Sequence, residues 1–290
     1  MLTQYQNGNT LVSLYENGTR YLEYEDTLQL DQPLNVDIRV SNRCSNGYNP
    51  KTGKAICPMC HESQTVDGLE CDYSLLQQQL ESFNPGIELA IGGNEITSGL
   101  VDFISWCKTK KFIVNLTVNQ IHLPAYGNKL KYLIENDLIK GLGISYRKDY
   151  QTKIDPFFIE YSNSVLHCIA GIDTVDDVLA SSFNKVLILG YKYHGFGKDY
   201  YSSEIELNIR QWQMYLPKLF GKKLVSFDNI AIEQLKVNRF FTKDNWEVFN
   251  QGEESFYLNA VDQYFAPSSR TSEGIMKWGK LSAIDYYKQL

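Results

Sequence analysis

The chain has few of the features that usually announce a function. It has no run of about 18 apolar residues, so no membrane-spanning helix is expected. Its first residues have neither the basic start nor the apolar core of a secretory signal, which leads us to expect a cytoplasmic protein with reduced cysteines. Positive charge is not in excess: 28 Lys and Arg stand against 34 Asp and Glu, a net charge of −6. That balance argues against a broad phosphate-binding surface and against a nucleic-acid partner. Gly-x-x-x-x-Gly-Lys-Ser/Thr is missing, which excludes the common type of nucleotide triphosphatase. No Ser–His–Asp order stands out, and only 4 His are available to build on. Internal repeats, low-complexity tracts and a clear linker are missing too, so one elaborated domain is expected.

What remains is an ordinary globular composition, 43% hydrophobic and 21% charged, and long enough to bury a full core. The first thirty residues read as a β-hairpin or two, with apolar alternation on either side of the turn dipeptide Asn17-Gly18. Beyond Pro33, short apolar runs alternate with helical patterns. Strands are predicted at 34–40, 86–92, 111–118, 139–146, 164–171 and 184–191, with a seventh at 222–229. Helices are predicted at 73–83, 98–109, 127–136, 156–162 and 174–182. Strands separated by helices imply an α/β fold with a parallel sheet, and their spacing suits a barrel or a doubly wound sheet. The tail around Gly252 reads as a second hairpin. Three segments follow: an N-terminal β-hairpin extension (1–33), a central α/β unit (34–230) and a C-terminal β extension (231–290).

Three of the 6 cysteines fall in one stretch, where Cys44 is followed by twelve residues and then by the C-P-M-C pair of Cys57 and Cys60, with His61 next. The stretch follows the first predicted parallel strand, at the strand end where ligands bind in such folds. A tetrahedral zinc site could use Cys57 and Cys60 with Cys44, His61 or Cys71, as a non-enzymatic structural or interaction module would. C-P-M-C-H also matches the c-type haem pattern, but that attachment takes place outside the cytosol. A third reading is an iron–sulfur cluster held by only three thiolates, which leaves one iron open. Cys107 is expected in a buried helix, and His167 and Cys168 are expected to be packing residues.

The segments "DIRVSNRC" and "CPMCHES" resemble the first strand and cluster loop of radical S-adenosylmethionine enzymes. With "IGGNE", "HCIAGIDT" and "LILGYKYHGFG" they are similar to a group of small members met in phage and bacterial genomes. The resemblance covers about residues 34 to 230, with the motifs in the family's order. It implies a partial (β/α)6 TIM-like barrel with the N-terminal hairpin and C-terminal extension added, the latter capping the opening. It also implies a 4Fe–4S cluster on Cys44, Cys57 and Cys60, S-adenosylmethionine as cofactor and an external electron donor such as a flavodoxin or reductase. The substrate is not identified.

Within the resemblance, Gly92, Gly93 and Glu95 would receive the amino group of the cofactor's methionine moiety. Asn115, Thr117, Asn119 and Ser145 would take its ribose and carboxylate, with Arg147 in reach of the latter. Ile169 would pack on adenine, Gly171 would allow close approach, and backbone around Gly190 and Tyr191 would meet the adenine edge. Lys192 and His194 are candidate substrate contacts. The usual cysteine spacing is three residues then two, so Ser45–Ile56 is expected to be an insertion in a surface loop. The Gly, Asn and Pro of "NGYNPKTGKA" suit such a loop.

Overall fold

The computed structural model describes residues 3–16, 20–25, 30–92, 95–148, 154–242, 254–269, 271, 273–279 and 281–290. Strands β1 (Thr3–Asn7), β2 (Thr10–Leu14) and β3 (Arg20–Tyr24) form an antiparallel three-stranded sheet. The register of β2 on β3, with Leu14 opposite Arg20, is that of the expected hairpin. Its turn at Asn17-Gly18 lies outside the described residues.

The main sheet starts with β4 (Asn35–Arg39) and is continued by β7 (Glu88–Ile91), β8 (Ile113–Asn119), β9 (Gly141–Ser145), β10 (Ser164–Ile169), β11 (Lys185–Leu189) and β12 (Leu224–Phe227). These strands are parallel and lie side by side in chain order, with no reversal. Between β4 and β7 the chain forms a small hairpin, β5 (Arg43–Asn49) with β6 (Lys54–Ala55). On the other side of β4, β13 (Ser255–Asn259) adds in parallel, and β14 (Tyr264–Ala266) and β15 (Met276–Lys277) follow antiparallel. The result is a ten-stranded, mostly parallel sheet among the described residues, in a mixed α/β fold.

The helices run between the strands: α1 (Tyr73–Leu80), α2 (Ser98–Thr109), α3 (Leu123–Glu135), α4 (Pro156–Glu160), α5 (Val175–Ala180), α6 (Phe196–Tyr200), α7 (Ser203–Tyr215) and α8 (Asn229–Gln234), with α9 (Ala283–Tyr287) at the end. Their starts follow capping chemistry. Asp72 and Thr97 accept from first-turn amides of α1 and α2, and Thr174 and Asp177 form a reciprocal box on α5. No helix among the described residues is long and apolar enough to cross a membrane.

Period-two alternation divides the sheet into two unlike faces. Val36, Ile38, Leu89, Ile91, Val114, Leu116, Leu142, Ile144, Leu166, Cys168, Val186 and Ile188 are buried and belong to the hydrophobic core. Many of the intervening positions are polar or small, among them Asp37, Arg39, Ala90, Thr117, Asn119, Gly143, Ser145 and His167, while β10 and β11 also place Ile169, Leu187 and Leu189 there. This second face lines the hollow described below.

All seven expected parallel strands are present. One expectation lies outside the described residues and one changes. The hairpin placed around Gly252 falls outside the described residues; the described one is β13–β14, whose turn is held by Asn259 Oδ1 accepting from Val261 N at 3.1 Å and Asp262 N at 2.9 Å. Residues 45–56 are not a plain surface loop but the β5–β6 hairpin, and Asn46 within it is buried.

Candidate functional site

A cavity of about 380 Å³ opens at the carboxyl ends of the parallel strands. Cys44, Cys57 and Cys60 are all on its wall, along with Asp37 and Arg39 of β4, Ala90 and Gly92 at the end of β7, Thr117 and Asn119 of β8, Ser145 of β9, and His167 and Ile169 of β10. These residues are together because parallel strands end on one edge, and alternate side chains point to one face.

The cysteine loop is held by backbone. The Cys57 amide donates to Asn46 O at 2.9 Å and the Cys60 amide to Cys57 O at 3.2 Å. The Phe196 amide donates to Cys60 O at 3.1 Å, which ties the loop to the start of α6. The two glycines around Phe196 serve this contact. A Cβ on Gly195 would stand 2.2 Å from His61 O, and one on Gly197 would stand 2.5 Å from Lys192 O and 3.3 Å from Met59 O. Asn46 reaches the other way, its Nδ2 lying 2.6 Å from His122 Nε2.

Arg147 Nη1 donates to Cys57 Sγ at 2.7 Å and its Nη2 to Ile56 O at 3.2 Å. Burial raises the pKa of all three thiols, and pushes Cys44 up to about 11. The Arg147 charge works against that shift at Cys57. With raised pKa values all three favour the thiol at neutral pH, so loading a metal on them would release protons. Among the described residues no three His, Cys, Asp or Glu side chains converge as a ready site for one ion. Three thiols on one wall are the donor type of an iron–sulfur cluster, and also of a zinc site completed by a fourth ligand. Cys71 is buried and does not line the cavity.

Next to the cysteines lies a network of charge. Arg39 Nη1 is 3.2 Å from Glu62 Oε2, and its Nη2 donates to Glu62 O at 2.9 Å. His61 Nε2 is 3.1 Å from Glu62 Oε1 and 3.1 Å from Lys192 Nζ. Burial opposes ionisation of Glu62, but the hydrogen bond and charge of His61, with Arg39 and Lys192, hold its carboxyl down at about 2. Burial lowers the pKa of His61. A neutral ring can donate from Nε2 to Glu62 or accept there from Lys192, not both.

Of the cofactor residues expected from sequence, Gly92, Ser145 and Ile169 line the cavity, as do Thr117, Asn119, Arg147 and Lys192. Gly93 lies outside the described residues. Glu95, Asn115 and Tyr191 do not line the cavity. Glu95 Oε1 accepts from Ser45 N at 3.0 Å and its Oε2 is 3.9 Å from Arg43 Nε, so it braces the strand carrying Cys44. Asn115 shares a face with Asn119 but lies four residues earlier, roughly 13 Å back along the strand, where its Nδ2 donates to Glu88 Oε2 at 3.3 Å. Tyr191 is buried, with its hydroxyl on Gly197 O at 2.6 Å and its amide on Gln234 Oε1 at 2.8 Å. Gly190 N is likewise taken by Asp228 Oδ1 at 2.9 Å. Gly171, at φ +100°, makes room for Ile205 and Ile209 of α7.

His167 corrects the expectation of a packing residue: it lines the cavity, its ring over Gly143, where a Cβ would lie 2.5 Å from Cε1. Burial holds its pKa down at about 4. Cys168 and Cys107 are buried in the core as expected. His194 belongs to a neighbouring hollow that shares Arg39, His61, Glu62 and Tyr257. Sequence reasoning missed Asp37, Arg39, Glu62, Asp173 and Tyr257 as wall residues. The polar Asp37 and Arg39 alternating with Val36 and Ile38 were the available signal.

No protein-family model matches the chain, and no curated protein matches it.

Proposed function

We propose that the chain is a radical S-adenosylmethionine enzyme whose 4Fe–4S cluster is held by Cys44, Cys57 and Cys60. One observation carries the reading: these three thiols, out of 6 cysteines, share one wall of a cavity at the carboxyl ends of a parallel sheet. The other three do not line it. The same reading takes β4 and β7–β11 as a partial (β/α)6 TIM-like barrel. Their chain-order arrangement without reversal and their polar inner face support it. A reduced cluster calls for a cytoplasmic setting and for an external electron donor, a flavodoxin or reductase.

The chemistry supplied when the cluster is loaded is one-electron cleavage of S-adenosylmethionine, giving a 5′-deoxyadenosyl radical that takes hydrogen from a substrate. The chain's own residues prepare the place. Arg147 offers charge and hydrogen bonds to Cys57, favouring the thiolate that ligation needs. Gly92 and Ala90 keep the adjoining strand end free of bulk, and Ser145, Thr117 and Asn119 offer hydroxyl and amide groups to a polar ligand. Ile169, Ile172 and Leu189 form an apolar wall that keeps water from reactive groups.

The test is anaerobic reconstitution with iron and sulfide, then incubation with S-adenosylmethionine and dithionite. The expected product is 5′-deoxyadenosine from a brown, iron-loaded protein. Colourless protein that retains zinc instead, and gives no 5′-deoxyadenosine, would establish the zinc-binding module.

A further inference from the structure

The cysteines occupy one side of the cavity and leave the β4 wall without a role. Asp37 stands on that wall. Its side chain is exposed and lines the hollow, and the protein around it raises its pKa with Lys192 opposing. In register, Ala90 sits beside it on β7 and Tyr257 on β13, so on one side the approach to the carboxylate is lined by a single methyl group. Among the described residues no hydrogen bond and no ion pair reaches this carboxylate. Lys192 acts on it only through space, while its Nζ lies 3.1 Å from His61 Nε2. The neighbouring carboxylate, Glu62, is by contrast fully engaged with Arg39 and His61.

A carboxylate that faces a cavity without a protein donor is left with water as its only partner there. A ligand bringing both positive charge and N–H donors replaces that water with charge-assisted hydrogen bonds; a neutral or anionic ligand does not. The rest of the cavity suits an organic body, with Ile169, Ile172, Leu189 and Met59 on its walls and a neutral His167; of the cations on the lining, Arg39 is paired with Glu62, Arg147 with Cys57, and Lys192 lies against His61.

We propose that Asp37 anchors a substrate subsite for a small organic cation, a primary ammonium or an amidinium, on the β4 wall of the cavity. This deepens the reading of the cavity as the place of reaction and rests on it.

The probes are benzamidine and its neutral isostere benzamide, titrated calorimetrically into the full chain. Benzamidine is expected to bind roughly tenfold or more tightly than benzamide, the worth of a hydrogen bond to a charged group. Asp37→Asn, which keeps size and polarity, should abolish that preference. Asp137→Asn, on a side chain 64% exposed and outside the cavity, should leave it intact. Equal affinities in the wild-type chain, or a preference that survives Asp37→Asn, would overturn the proposal. Failure of the radical reading shows differently: no 5′-deoxyadenosine forms, while the benzamidine preference and its loss in Asp37→Asn persist.

Discussion

Gly195→Ala puts a single methyl group where the turn after β11 meets the cysteine loop. Gly195 has φ +55° and ψ −146°, a conformation essentially confined to glycine. Its Cβ would lie 2.2 Å from His61 O and 2.6 Å from Ser63 Oγ, both closer than real Cβ contacts come. Backbone strain at such a site costs about 1–3 kcal/mol. Moving the loop aside also lengthens the Phe196–Cys60 hydrogen bond of 3.1 Å, worth about 1 kcal/mol. We expect a loss of ~2–4 kcal/mol in urea unfolding at neutral pH. Iron per chain after anaerobic reconstitution should fall with it, because Cys60 lies in the displaced segment. The control is Gly53→Ala at the exposed hairpin tip, where φ is +66° but nothing lies within 4 Å of the new methyl. Only left-handed strain of about 1 kcal/mol applies there, and iron should be unchanged. If Gly195→Ala cost no more stability than Gly53→Ala and loaded the same iron, the argument that the G-F-G turn clamps the cysteine loop would be wrong.

Alanine at Cys44, Cys57 or Cys60 should each sharply reduce bound iron and end cofactor cleavage, while alanine at Cys71, Cys107 or Cys168 should keep iron near wild type. Normal iron in Cys44→Ala, measured by metal analysis, would refute the three-thiol ligand set. Deleting Lys51 and Thr52 leaves a two-residue turn, Pro50-Gly53, between the paired Asn49 and Lys54 and removes only exposed residues. Iron loading should survive, since closure cost depends only weakly on loop length; its loss would mean the tip shapes the site. Burial, aided by Asp177, pushes the carboxyl of Asp173 up to about 7 from 3.8. A raised acid stabilises the fold while protonated, so its contribution is lost as pH climbs from about 4 through 7. At one pKa unit per about 1.36 kcal/mol, the ionised carboxylate costs on the order of 4 kcal/mol at pH 8.5. Asp173→Asn can still accept from Ile169 N through its carbonyl oxygen, a bond now 2.7 Å long. Its stability relative to wild type should rise between pH 5 and 8.5 in urea unfolding, and an unchanged difference would exclude Asp173 as the titrating group.

Sequence alone determined the elements of the parallel sheet. The runs at 34–40, 86–92, 111–118, 139–146, 164–171 and 184–191 contain β4 and β7–β11, with β8 ending one residue beyond. Burial of alternate side chains and capping by Thr97 and Thr174 are local physics, written within a few residues. The cysteine cluster and its place after the first parallel strand were legible for the same reason. Helices α7 and α8 were missed although Ser202 and Asp228 cap them, because they flank the seventh expected strand, where helical patterns were no longer followed.

Only tertiary structure decided which polar residues meet. Glu95, read from its motif as a cofactor contact, is turned to the amide of Ser45, a partner 50 residues away. Gly190 and Gly195 look alike in sequence, but Ile230 of α8 demands the first and the carbonyl of His61 the second. Asp37 and His167 lie 130 positions apart and become walls of one cavity only because strand register brings alternate side chains of β4 and β10 to the same face. Local periodicity is carried by neighbouring residues and can be read from them. Which side chains share a cavity is set by register and loop packing across the whole sheet, and no short stretch of sequence holds that information.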